Sequence, residues 1–189
     1  MTLETPERTF RFRLVGGYSL DVPVNAADLA TAKDKLRRED VDDGVVTPQE
    51  MGRRLLVQQD GWVPQSVDDY MLALTDVGPD SPIYDSDYGC ALIVRELPHA
   101  EGPEQSYRFT LSIADDAPWV AQVTATSLYA AIDQILDGNA ALTSDDADAL
   151  EIYDETLALF AMLTPTVARY KNDTYAVDYQ LVHTVPEEG

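Results

Sequence analysis

Covalent catalysis needs a nucleophile with a base in reach of it, and this sequence offers few of either. Its two histidines are His99, in a connecting stretch, and His183, near the end of a strand-like segment. Its single cysteine, Cys90, opens an apolar run, where a thiol is normally an inert small hydrophobe. No G-x-S-x-G, H-E-x-x-H, C-x-x-C or P-loop pattern occurs. A Cys–His pair assembled in space and a glycosidase-type pair of carboxylates are the catalytic arrangements left, and a plain core thiol and helix or turn acids are the better expectations, so no catalytic residue is assigned. The other groups with chemical potential are carboxylates. Asp85, Asp87 and Glu96 fall at the first, third and twelfth places of a calcium-loop register, but the glycine stands at Gly89, one place early, and a strand-like segment follows instead of a helix. An EF-hand is therefore rejected and a weak, non-specific cation site is left open, with no metal ligand or cofactor assigned. The adjacent acids Asp42-Asp43, Asp68-Asp69 and Asp115-Asp116 are explained first by turns and helix starts.

The stretch Thr143 to Leu163 is different. It opens with a helix-start signal and then sets Asp145, Asp146, Asp148, Glu151, Asp154 and Glu155 close together, with no Lys or Arg anywhere between Arg108 and Arg169. Helical spacing gathers Leu150, Tyr153, Leu157, Phe160 and Ala161 into a buried stripe. It gathers Asp148, Glu151 and Glu155 into an acidic row beside that stripe, widened by Asp145 and Asp154. The acids of the first turn meet the positive helix end favourably, but Glu151, Asp154 and Glu155 gain little from it. Like charges at i, i+4 repel mildly. An acidic face of this kind, with no base in its own neighbourhood, points to a basic partner outside the chain.

The elements that must position such a face follow from periodicity. Thr9 to Leu14 alternates apolar and basic residues and reads as a half-buried strand. A Gly16-Gly17 turn leads to a second strand, Tyr18 to Val24, and Asn25 is the expected N-cap of a helix over 26–38 with Leu29, Ala32 and Leu36 inward. Thr47-Pro48-Gln49-Glu50 is a capping box for a helix to about Gln59, and Ser66 to Asp69 starts a short one. Val77 to Tyr84, with its glycine and prolines, reads as loop, and Cys90 to Leu97 as an apolar strand.

The order then recurs. Tyr107-Arg108-Phe109 echoes Phe10-Arg11-Phe12, and Val123 to Ala131 echoes Val24 to Ala32. The Thr143 start replaces the Thr47 box, and a last strand spans 176–185. The expected fold class is α+β: two tandem, similar β-β-α-α-β units packed into one compact acidic body. The first unit spans 9–97 and the second 106–185, with a tail over 1–8, a linker over 98–105 and a tail over 186–189.

Composition bounds the function. The chain of 189 residues has 45% hydrophobic residues, enough for a packed core, so it is not a disordered acidic tail. Its 34 acids against 13 bases give a net charge of −21. Self-repulsion on that scale works against a compact state, and halophilic adaptation, solubility or a basic partner would each account for it. Direct nucleic-acid binding is disfavoured, because no basic stripe exists to neutralise phosphates. One cysteine fits a reducing cytoplasm, and neither an apolar leader nor an 18-residue apolar run is present, so neither export nor a membrane span is expected.

In charge, size and lack of an enzymatic motif the chain resembles the acidic DNA-mimic inhibitors of phages and mobile elements, the anti-CRISPR and anti-restriction proteins. The resemblance is one of class, carried by acidic density. It implies a non-enzymatic inhibitor that blocks the positively charged nucleic-acid site of a defence complex. The partner-binding acids would be Asp145, Asp146, Asp148, Glu151, Asp154 and Glu155, joined by Asp133, Asp137, Glu39, Asp42 and Asp43. Immunity proteins that bind basic nuclease toxins are similar on the same electrostatic ground. An enzyme or cation binder using surface carboxylates is the reading from a different class.

Overall fold

The computed structural model describes residues 6–16, 20–37, 76–86, 89–99, 102–113, 117–144 and 154–182. They form a mixed α+β protein with two four-stranded antiparallel sheets. The first sheet contains β1 (Arg8–Val15), β2 (Leu20–Ala26), β3 (Ile83–Asp85) and β4 (Cys90–Leu97), in the order β2-β1-β4-β3. The second contains β5 (Gln105–Ile113), β6 (Trp119–Ala125), β7 (Arg169–Lys171) and β8 (Tyr175–Val182), in the order β6-β5-β8-β7. Three helices are described: α1 (Leu29–Arg37), α2 (Leu128–Leu136) and α3 (Asp154–Ala161). The expected helices over 47–59 and 67–75 lie outside the described residues.

Two local expectations are corrected. Each sheet has four strands where three were read, because the short edge strands β3 and β7 are each only three residues long and carry no periodicity. The cap of α1 is Asp28, whose carboxylate accepts the Thr31 N–H at 2.8 Å, while Asn25 lies within β2 opposite Thr9. Ser127 does the same work for α2, accepting the Ala130 N–H at 3.1 Å.

The layering explains the burial. In β1 the odd-even alternation sends Phe10, Phe12 and Leu14 to one face, where they join Val22, Val24, Leu92 and Val94 beneath Ala32 and Leu36 of α1. The opposite face carries Arg11, Arg13 and Val15, and was expected to meet water. The structure covers it instead with the helices of the second half. Val15, Ala91 and Ile93 share one core with Phe109, Leu111, Ile132, Ile135, Leu159 and Phe160. The order of layers is thus α1, first sheet, α2 with α3, second sheet. For this reason α3 is not amphipathic: Thr156, Ala158, Leu159, Phe160 and Ala161 are all buried, as befits a helix with a sheet on each side.

Candidate functional site

The middle helix layer meets the first sheet through charge. On α2, Tyr129 and Asp133 lie four residues apart on one face, and Asp137 continues the row just past the helix end. Leu128, Ala131, Ile132 and Ile135 belong to the core shared with the second sheet. The face of the first sheet opposite them carries Arg11, Arg13 and Arg95, Arg11 and Arg95 being direct cross-strand partners.

Asp133 is the centre of the cluster. Arg13 Nη1 donates to its Oδ1 at 3.3 Å, His99 Nε2 lies 2.9 Å from its Oδ2, and Arg11 Nη1 approaches the same oxygen at 3.5 Å. An ionised carboxylate only accepts, so the His99 contact is an Nε2–H donation. Arg13 Nη2 donates to Asp137 Oδ1 at 2.7 Å, and Arg11 Nε donates to Asp21 Oδ1 at 2.9 Å. Burial alone would raise the Asp133 carboxyl; the His99 hydrogen bond and the charges of Arg13 and Arg11 outweigh it and hold the group below the ordinary carboxylate value. Arg11 is held above its ordinary value, first by its hydrogen bond to Asp21.

Arg95 is more deeply enclosed, at 1% exposure. Its Nη1 donates to the carbonyls of Pro79 at 2.6 Å and Val94 at 3.1 Å, and the Tyr129 ring lies 3.9 Å from its Cζ. The Tyr129 hydroxyl donates to Asp80. Arg95 Nε and Nη2 have no acceptor. Burial lowers the Arg95 pKa, opposed by Tyr129, Asp133 and Asp80.

The acids expected to form one partner-binding set separate here. Asp133 and Asp137 are brought together, but by Arg11 and Arg13 of their own chain, and Asp133 is buried. Glu155 is exposed at the start of α3 and accepts from the neutral carboxamide of Asn172 at 2.7 Å, which leaves its charge in place. Asp154 opens the same helix, its side chain lying outside what is described. Asp145, Asp146, Asp148, Glu151, Glu39, Asp42 and Asp43 lie outside the described residues. His99 serves Asp133, whereas Cys90 is buried in the core under α1, on the other face of the first sheet, so these two are not brought together. His183 lies outside the described residues. Glu96, from the calcium-loop register, is held by Arg8 through both oxygens at 3.2 and 3.1 Å. Among the described residues no three His, Cys, Asp or Glu side chains gather as a metal site.

Residue patterning missed the role of Arg11, Arg13, Arg95 and Tyr129. The signal was present in two places, as alternating arginines on a strand and as the spacing of Tyr129, Asp133 and Asp137, but nothing local linked them. Chemically, a carboxylate shared by one imidazole and two guanidinium groups fixes α2 on the first sheet. Comparison with protein-family models, curated proteins and solved structures finds no match. The class defined by the fold is a mixed α+β protein, and no helix among the described residues is long and apolar enough to cross a membrane.

Proposed function

We propose that this protein is a non-enzymatic acidic inhibitor, a DNA mimic that occupies the positively charged nucleic-acid site of a CRISPR effector, restriction enzyme or comparable nuclease. One observation carries the reading: the fold matches its charges internally and still leaves a large acidic excess. Arg11 and Arg13 are turned to Asp21, Asp133 and Asp137, and Arg8 to Glu96. Residues 101–189 contain 16 acids; setting aside Asp133 and Asp137, which Arg11 and Arg13 meet, 14 remain against Arg108, Arg169 and Lys171. An excess of carboxylates on a folded protein is suited to meeting Lys and Arg side chains that otherwise hold phosphates. The carrier of those carboxylates is read as two tandem, similar units, each with one short edge strand more than the expected β-β-α-α-β order; the common strand order and the matching caps Asp28 and Ser127 support the likeness of the two. A single cysteine suits action in a reducing cytoplasm.

The test is capture of a basic nucleic-acid-binding protein from a host lysate with and without nuclease, followed by competition on the purified partner. The protein should displace labelled duplex from it, and displacement should weaken steeply with salt. A partner that binds the inhibitor and its nucleic acid together would overturn the mimic and favour an immunity or regulatory role.

A further inference from the structure

Every basic residue of the second half projects from one surface. In β5, Tyr107, Phe109 and Leu111 point into the core, so Arg108 and Thr110 point away from it. Cross-strand register carries that face over the whole sheet: Arg108 stands between Gln122 and Gln180, Thr110 is opposite Asp178, Asp178 opposite Arg169, and Ala176 opposite Lys171. Arg108, Arg169 and Lys171 are all exposed. Asp178 is the one acid among these positions, so a locally cationic face lies on a half-chain that is otherwise strongly acidic.

Beside Arg108 the sheet forms a groove of about 500 Å³. Val120 and Gln122 of β6 line it with Arg108, together with Ala117, Pro118, Thr143 and Ser144. Two backbone hydrogen bonds between Val120 and Thr143, at 2.7 and 2.9 Å, hold Thr143 beside the edge of β6. The lining is chemically divided. The Arg108 fork and the Gln122 carboxamide supply donors, while Ala117, Pro118 and Val120 supply apolar surface.

We propose that this groove binds a small ligand with one oxyanion group, a carboxylate or a phosphate monoester, attached to an apolar body. A guanidinium offers parallel N–H groups that match two oxygens of either anion, and the proline–valine–alanine side accepts the body. The volume lies within the range of small-molecule sites. The net charge of −21 opposes an anion at long range. At ~0.15 M salt the Debye length is about 8 Å, so Arg108, the cation lining the groove, governs the last approach. The groove adjoins the start of the acidic stretch in sequence, at Ser144, but its proposal does not rest on the inhibitor reading, and either can fail without the other.

The experiment uses the full chain, isotope-labelled, titrated with phenyl phosphate, benzoate and the neutral benzyl alcohol. Either anion should produce saturable shifts centred on Val120, Gln122 and Thr143, with a dissociation constant of about 1 mM or tighter. R108M should weaken binding about tenfold or more while leaving distant resonances in place. R169Q/K171Q, whose residues lie on β7 two strands beyond β5, should bind within about twofold of wild type. A preference for phenyl phosphate over benzoate identifies the monoester as the source of the anion, and the reverse identifies the carboxylate. The site is overturned if neither anion saturates these resonances, if R108M binds as wild type, or if benzyl alcohol binds as well as the anions.

Discussion

Arg13 and Asp133 are separated by 120 residues of chain and by 3.3 Å in space, and each is only 6% exposed. Removing one member of a buried pair strands the other, at a cost of ~3–5 kcal/mol when no substitute exists. Asp137 and Asp21 remain near Arg13, so D133L should lose about 3 kcal/mol in urea unfolding. R13M should cost a similar amount. The double variant should lose at least about 1 kcal/mol less than the sum, because the two side chains interact directly. Strict additivity would mean that the contact carries no coupling.

The same carboxylate sets an acid limit. Its folded pKa lies below the unfolded value, so its contribution is complete above about pH 4 and falls away as pH drops through the folded value. The stability difference between wild type and D133N should therefore shrink as the solution is acidified below about pH 4. A difference that grows below that pH would reverse the sign assigned to Asp133.

Burial and energetic worth diverge at Arg95. It is the more enclosed guanidinium, but two of its nitrogens have no acceptor, and each orphaned group costs roughly 1–3 kcal/mol. R95M keeps most of the volume, removes that penalty and gives up the bonds to Pro79 and Val94. It should lie within about 1 kcal/mol of wild type, clearly milder than R13M. Equal losses in the two variants would show that the Tyr129 stacking and carbonyl bonds outweigh the orphaned edge.

Gly16 ends β1 with φ of 105°, and a Cβ there would lie 2.5 Å from the Gly89 carbonyl and 3.3 Å from Ala158 Cβ. The first contact is with backbone and cannot swing aside. G16A should cost about 2–4 kcal/mol, from left-handed strain together with the clash. A thermal shift of less than about 2 °C would show that the turn yields.

For the inhibitor reading, D148N/E151Q/E155Q is the decisive variant. Glutamine at 155 can still accept from Asn172, so the fold should be unchanged. Affinity for the captured partner should fall about tenfold or more, and the dependence of binding on salt should flatten. An unaltered salt slope would move the contact face elsewhere.

Much of the fold was legible because β1 and β5 alternate in sequence, β4 is a continuous apolar run, and α1 turns Ala32 and Leu36 inward as its spacing requires. What escaped was the second layer of packing. An arginine at position 11 or 13 looks the same in sequence whether it meets water or an aspartate 120 residues away. Asp133 and Asp137 looked like part of an outward acidic set for the same reason, since charge counting along a chain is blind to bases from another sheet. Leu159 was hidden by a related effect: a helix between two sheets loses the one-sided pattern that amphipathic reading depends on.

The alternation of layers also has a consequence for synthesis. A ribosome delivers the first sheet long before the helices that cover its arginine-bearing face. At ~5–20 residues per second, Arg13 waits about 6–24 s for Asp133 to be made. During that interval the nascent N-terminal half presents Arg11, Arg13 and Arg95 with Asp21 but without Asp133 and Asp137, beside Val15 and Ile93 and next to a ribosome rich in phosphate. The mature acidic protein thus passes through a youth in which one of its faces is cationic and sticky, and completion of α2 and α3 is what ends it.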